Sequence, residues 1–346
     1  MQSFQIGKNE SGQRFDKYLK KLLPLAPKSF LYKMLRKKNI TLNGKKADGS
    51  EKLCLNDEVK LFFSEETFAR FAQTVLKSPG KDQKAAAGIG YPETALDIVY
   101  EDDDILIINK PAGMLSQKAK REDISANEYI IGYLLRQHVI TQEELATFRP
   151  SVCNRLDRNT SGLLIAGKSL KGLQDMSRQL SSRSASKYYR CLVKGKMERQ
   201  ETVKGWLIKD KENNQVQIFP SELPDSKYVE TRYTPVAYYR ETESGDKGKC
   251  LIKIRESDIL RQGGGYTLLE VELITGRSHQ IRAHLASVGH PIVGDFKYGD
   301  KKVNDWFFRH FQLKYQMLQA YLICLEDGRE FEAPLAREFW RVLGQV

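Results

Sequence analysis

A run with no hydrophobic period, from Lys77-Ser78-Pro79-Gly80 to Gly88-Ile89-Gly90, interrupts a chain that is patterned on both sides of it. Gly, Ala, Lys and Pro at this density bury too little apolar surface to form a core, and the composition is that of a flexible linker. The chain must therefore build separate cores before and after the interruption. Its 346 residues are also too many for one ordinary compact module. The expected organisation is a small domain over residues 1–75, a linker over 76–93 and a large domain over 94–346.

The two pieces differ in charge. Residues 1–63 hold 14 Lys or Arg against 6 Asp or Glu, a surplus of 8 out of a total formal charge of +12. Concentrated positive charge is the usual footprint of a polyanionic partner, because each neutralised phosphate releases condensed counterions. The alternative is a soluble surface that is merely basic. No uninterrupted apolar run approaches the roughly 18 residues of a membrane span. The start, Met1-Gln2-Ser3-Phe4, lacks the basic and apolar segments of a secretory signal, so a cytoplasmic location is expected. Cys54, Cys153, Cys191, Cys250 and Cys324 stand singly, with no Cys-x-x-Cys pair, which argues against a disulfide framework and a zinc ribbon.

Phe15, Leu19, Leu22 and Leu23 recur at helical spacing, and Pro24 ends that helix. A second helix follows, with Ser29 as its expected cap. Phe30, Leu31, Met34 and Leu35 form its apolar stripe, and Lys33, Arg36, Lys37 and Lys38 crowd the other side. Then come a strand at Ile40-Thr41-Leu42, a turn at Asn43-Gly44 and a strand at Val59 to Phe63. A further helical stretch begins near residue 64.

In the large piece, strands are expected at Leu96 to Tyr100, Ile105 to Ile108, Leu163 to Ala166, Tyr189 to Val193, Val203 to Ile208, Tyr228 to Val236 and Leu268 to Leu273. Helices are expected at Leu170 to Leu180 and from near His279. Hairpins and short crossovers make this a mixed, mainly antiparallel sheet. Neither a Gly-x-Gly-x-x-Gly after a strand nor a Walker-type loop is present, and Gly263-Gly264-Gly265 is a hairpin turn before a strand. The expected fold class is α+β: a small helical-plus-sheet domain followed by a large, mainly antiparallel sheet domain with a central cleft.

The most pointed constellation is Asn154-Arg155-Leu156-Asp157-Arg158-Asn159-Thr160-Ser161-Gly162. Asp157 lies between two arginines, before an apolar strand, and neighbouring cations hold a carboxylate ionised. Alone, an Asp in such a loop more often merely caps a turn. The stretch resembles the catalytic motif of RluA-type pseudouridine synthases, His-Arg-Leu-Asp-x-x-Thr-Ser-Gly, with Asn154 in place of the first histidine. Asn109 to Met114, Lys187 to Gly195, Thr275 to His284 and Gly289 to Gly299 are similar to further motifs of that family, in order. Gly12 to Leu19, Lys28-Ser29 and Asn39 to Lys45 resemble the RNA-binding domain named after ribosomal protein S-four.

The resemblance implies isomerisation of uridines in structured RNA, most closely in large-subunit ribosomal RNA as in the RluC and RluD branches. It implies no cofactor, no metal and no DNA partner, and no repeat or coiled coil argues for more than a monomer. Asp157 is the expected catalytic carboxylate. Arg155 is expected to hold the flipped state and pair with that carboxylate, Tyr189 to stack on the uracil, and Arg282 to lie against Asp157. Arg14, Lys28, Lys33, Arg36, Lys37, Lys38 and Lys45 are the expected RNA-binding residues of the small domain, and Arg158, Arg277 and His279 those of the large one. Tyr188 replaces Tyr189 if the strand register is shifted by one, and Arg282 is alternatively a phosphate binder. His279 and His284 stand five apart with no third ligand, a poor zinc pattern. A glycoside-cleaving enzyme would need a second carboxylate beside Asp157, and a non-catalytic RNA-binding protein on the same core is the other alternative.

Overall fold

A computed structural model describes residues 1–72, 91–210, 212–213, 215–244, 248–255 and 265–344. The expected linker lies outside the described residues except for 91–93, and so do Gly263 and Gly264 of the expected hairpin turn. The N-terminal part is a sheet of four strands, β1 (Gln2–Gln5), β2 (Ile40–Leu42), β3 (Lys45–Lys46) and β4 (Glu58–Leu61), in the order β1-β4-β2-β3. Helices Phe15–Leu22 and Lys28–Arg36 pack on it through Phe15, Leu19, Leu22, Leu31 and Leu35, with Leu23 completing the core. Asn43 and Gly44 both take positive φ, 50° and 72°, as a tight hairpin turn between β2 and β3 requires. Ser29 does not cap the second helix. Pro27 occupies that position in extended geometry, and Ser29 is already inside the first turn. β1 was not expected, because a four-residue edge strand with polar outward positions carries almost no periodic signal.

The large sheet comprises twelve strands among the described residues: β5 (Ile98–Glu101), β6 (Ile105–Lys110), β7 (Ser151–Val152), β8 (Ser161–Gly167), β9 (Ser186–Lys194), β10 (Glu201–Asp210), β11 (Gln215–Phe219), β12 (Lys227–Ser244), β13 (Gly248–Ile254), β14 (Tyr266–Leu273), β15 (Leu318–Cys324) and β16 (Glu330–Glu332). Its spine runs β11-β10-β12-β14-β9-β15-β8-β6-β5. Every pairing is antiparallel except β15 with β8. All seven residues of β8 are buried, as its unbroken apolar run demands at the middle of a covered sheet. One face packs on helix Ala126–Arg136 and helix Gln280–Ser287, and the other on helices Lys301–Phe311 and Arg337–Leu343.

β15 is the junction. It comes from the C-terminal region yet lies between β8 and β9, so it brings the loop before β8 next to β9. Gly162 makes this possible: its φ is +110°, and a Cβ there would sit 2.0 Å from the carbonyl oxygen of Ala320 on β15. The small part also touches the large one. The Thr147 hydroxyl donates to Glu10 at 2.6 Å, both residues being buried, and the Leu170 amide donates to Asn9 at 3.3 Å.

Candidate active site

The Asp157 loop, between β7 and β8, is clamped from below. The Ser116 hydroxyl donates to the Leu156 carbonyl at 2.9 Å and accepts from the Leu156 amide at 3.0 Å. The Gly113 amide donates to the Arg158 carbonyl at 2.8 Å, and the Arg158 Nε returns a bond to the Gly113 carbonyl at 3.1 Å. Beneath them Lys110 is fully buried, its ammonium donating to the carbonyls of Pro111, Met114 and Arg158 at 2.9, 2.8 and 3.2 Å. Burial pushes Lys110 down to about 7, against the charge of Asp157, which raises it. The three carbonyls match the three protons of an ammonium and favour the charged form.

Arg282, in the first turn of helix Gln280–Ser287, joins two carboxylates. Its Nη1 donates to Asp157 Oδ2 at 2.8 Å, while Nε and Nη2 grip Asp295 at 2.7 and 2.9 Å. Asp295 is wholly buried; burial alone would raise its carboxyl, but Arg282 and the amides of Lys297 and Tyr298 hold it below the usual range. Burial likewise opposes the charge on Arg282, and Asp295 and Asp157 outweigh it. His279 stands with Nε2 4.0 Å from Asp157 Oδ2 and Nδ1 2.9 Å from the Tyr298 hydroxyl, which accepts the Val216 amide. Burial lowers His279, with Arg282 and Lys297 adding to the effect and Asp157 and Asp295 opposing it.

Asp157, Arg158, His279 and Arg282 line one cleft of about 1280 Å³, above the roughly 300–1,000 Å³ common for small-molecule pockets. Lys187 and Tyr189 both line it and Tyr188 does not, because adjacent side chains of β9 face opposite ways. Tyr189 is buried, and that burial, with the nearby Asp157 charge, raises its hydroxyl. The cleft can hold a polymer segment against one carboxylate, a cationic clamp and a buried aromatic ring.

A model of the RNA pseudouridylate synthase family matches residues 104–287, more than half of the chain, and one of the S4 domain matches residues 13–59. The chain belongs to the RNA pseudouridylate synthase family. The synthase is 27% identical to the ribosomal large subunit pseudouridine synthase C of Vibrio vulnificus, over 99% of this chain and 96% of that protein. It is 28% identical to the protein of the same name from Vibrio cholerae, over 100% of this chain and 97% of that one. Among solved structures, human RNA pseudouridylate synthase domain containing 4 has a TM-score of 0.52 at 17% identity, covering 71% of this chain and 92% of that one, a likeness of fold.

The geometry sorts the residues singled out from the sequence. Asp157, Tyr189, Arg282, Arg155, Arg158, Arg277 and His279 all border the cleft of the synthase. Arg155 does not pair with Asp157: it is exposed, and Arg282, far away in sequence, makes that contact. Asn154, the departure from the motif, turns away from the carboxylate. Its amide donates to the Leu163 carbonyl at 3.2 Å and accepts from the Ile165 amide at 2.8 Å, so both ends are used to fasten β8. Lys28, Lys33, Arg36, Lys37, Lys38 and Lys45 are exposed on the small domain, whereas the Arg14 guanidinium is tied to Asp16 at 3.1 and 3.2 Å. Nothing in the sequence singles out Lys110, Lys187 or Asp295 as site residues, although each lies within a stretch that carries the family likeness. The identity of such positions was legible, but their burial and partners were not. Among the described residues no group of three or more His, Cys, Asp or Glu could hold a metal ion, and no helix is long and apolar enough to cross a membrane.

Proposed function

We propose that the synthase isomerises specific uridines of large-subunit ribosomal RNA, with Asp157 as the reactive carboxylate. Full-length similarity to synthases named for the large ribosomal subunit supports the choice of RNA. The observation that carries the assignment of Asp157 is the Arg282 fork. It holds Oδ2 while buried Asp295 holds the guanidinium from behind, and Oδ1 has no hydrogen-bond partner among the described residues. Attack on the base, attack on the ribose and removal of a ribose proton all begin with an ionised carboxylate in this place.

The reaction breaks the bond from base nitrogen to ribose, turns the bound uracil and rejoins it through carbon 5. Atoms and oxidation state balance within one nucleotide, so the overall conversion consumes no electron or group carrier. A paired uridine must first leave its stack, at a cost of a few kcal/mol. Arg155, exposed at the cleft, is suited to occupy the vacated place. Tyr189 offers a ring for the uracil, a contact of about 1–3 kcal/mol. Because its hydroxyl is raised, it meets the substrate as a phenol and assists removal of the carbon-5 proton only by passing on its own. The exposed cations of the small domain would hold neighbouring phosphates. We further propose that the synthase works as a monomer, in the cytoplasm, on RNA and not on DNA.

The test is incubation with large-subunit ribosomal RNA transcripts followed by nucleoside analysis, which detects an isomer of unchanged mass. Asp157→Asn keeps the shape and removes the anion, so product should vanish while RNA affinity stays within a few fold. Turnover near the wild-type rate in that variant would remove Asp157 from the chemistry.

A further inference from the structure

A second aromatic ring stands at the same cleft with no structural duty. Phe296 is 64% exposed, and among the described residues it is the only exposed large hydrophobic side chain that lines the cleft. Single exposed apolar residues are ordinary on protein surfaces. This one is held out by a rigid turn. Asp295, immediately before it, accepts the Lys297 and Tyr298 amides at 2.9 and 3.2 Å, and its carbonyl accepts the Gly299 amide at 2.8 Å and the Asn304 side chain at 2.9 Å. The Asn304 amide oxygen in turn accepts the Gly294 amide at 2.7 Å. Asp295 is the carboxylate that grips Arg282, so the ring rides on the turn that also positions the catalytic clamp.

The cleft that Phe296 borders also carries cations. Lys209, Arg277 and Lys297 border the same cleft, and Lys209 and Arg277 are exposed. An exposed aromatic face among cations is the usual means of holding single-stranded nucleic acid: the ring stacks a base and the cations meet the backbone. Tyr189 is buried and suits the extruded uracil, whereas Phe296 is open to solvent and suits a base that remains outside.

We propose that Phe296 is an RNA-binding residue that stacks on a nucleobase flanking the target uridine. The inference rests on the activity proposed above. Its test uses the full chain and a large-subunit ribosomal RNA fragment carrying a uridine that the wild type converts. Abasic sites are introduced singly at the positions flanking that uridine, and affinity is measured for wild type, Phe296→Ala, Phe296→Leu and Phe296→Trp. One abasic position should weaken wild-type binding by about 5- to 100-fold and weaken Phe296→Ala by less than about twofold, since the stacking partner is already gone. Phe296→Trp should behave as wild type and Phe296→Leu as Phe296→Ala, with thermal midpoints unchanged.

Equal affinity of wild type and Phe296→Ala for the intact fragment, with normal conversion by the wild type, overturns the stacking role and leaves the activity standing. Wild-type affinity in Phe296→Leu overturns it as well, because an aliphatic side chain has no face to stack. A wild type that converts no uridine in any large-subunit RNA overturns the activity and, with it, this role.

Discussion

The two basic regions of the synthase use positive charge in opposite ways. On the small domain, Lys33, Arg36, Lys37 and Lys38 are exposed around the end of one short helix. At the cleft, Arg282 and Lys110 are buried and saturated, one by two carboxylates and the other by three carbonyls. Exposed cations act at a distance, weaken with salt and tolerate small displacements. Buried, fully bonded cations fix geometry and suffer badly when one partner is removed. The small domain is therefore built to find RNA, and the cleft to hold one carboxylate in place.

The largest break in this contrast should come from Arg282→Met. Removing the guanidinium leaves Asp295 buried without its ion-pair partner, at about 3–5 kcal/mol of stability. It also frees the Asp157 carboxylate, so kcat should fall about 100- to 1000-fold at a temperature where the variant is folded. Denaturant unfolding and single-turnover conversion measure the two effects. Loss of affinity with normal turnover would make Arg282 a phosphate binder instead.

Charge reversal at Arg36, Lys37 and Lys38 should do the converse. Affinity should fall and its log-log salt slope should flatten by about 0.7–0.9 for each phosphate that is no longer neutralised. The loss should appear in KM rather than kcat, with no change in unfolding free energy beyond about 0.5 kcal/mol. An unchanged salt slope would show that this helix meets something other than the substrate RNA.

The last expected effect is the pH response of Lys110, whose burial works against the charge that its three carbonyls favour. Its folded value of about 7 lies below the roughly 10.4 of an unfolded lysine. Between those values the unfolded chain binds more protons, so stability rises with pH. Relative to Lys110→Met, the wild type should gain up to about 2–3 kcal/mol between pH 7 and pH 9 in urea unfolding. A flat difference would mean that the three carbonyls hold the ammonium charged throughout.

The local pattern determined a good deal by itself. Apolar spacing marks the helices Phe15–Leu22 and Leu170–Ser182, and the unbroken run of β8 marks a strand buried on both faces. The Asp157 motif, the Asn43-Gly44 turn and the basic helix are continuous stretches, so their chemistry is written in adjacent residues. β15 is the contrary case. Buried Gln319 and Tyr321 interrupt its apolar pattern, and nothing nearby announces that it will insert between β8 and β9. Only that insertion, through the bare Cα of Gly162, brings Asp157 to Tyr189. The partner of Asp157 follows the same logic: Arg155, two residues before it, was an expected candidate, yet the bond comes from Arg282, 125 positions away. Spacing carries information about neighbours along a helix or strand, whereas the pairing of charges across a cleft is decided by which distant segments the sheet brings together.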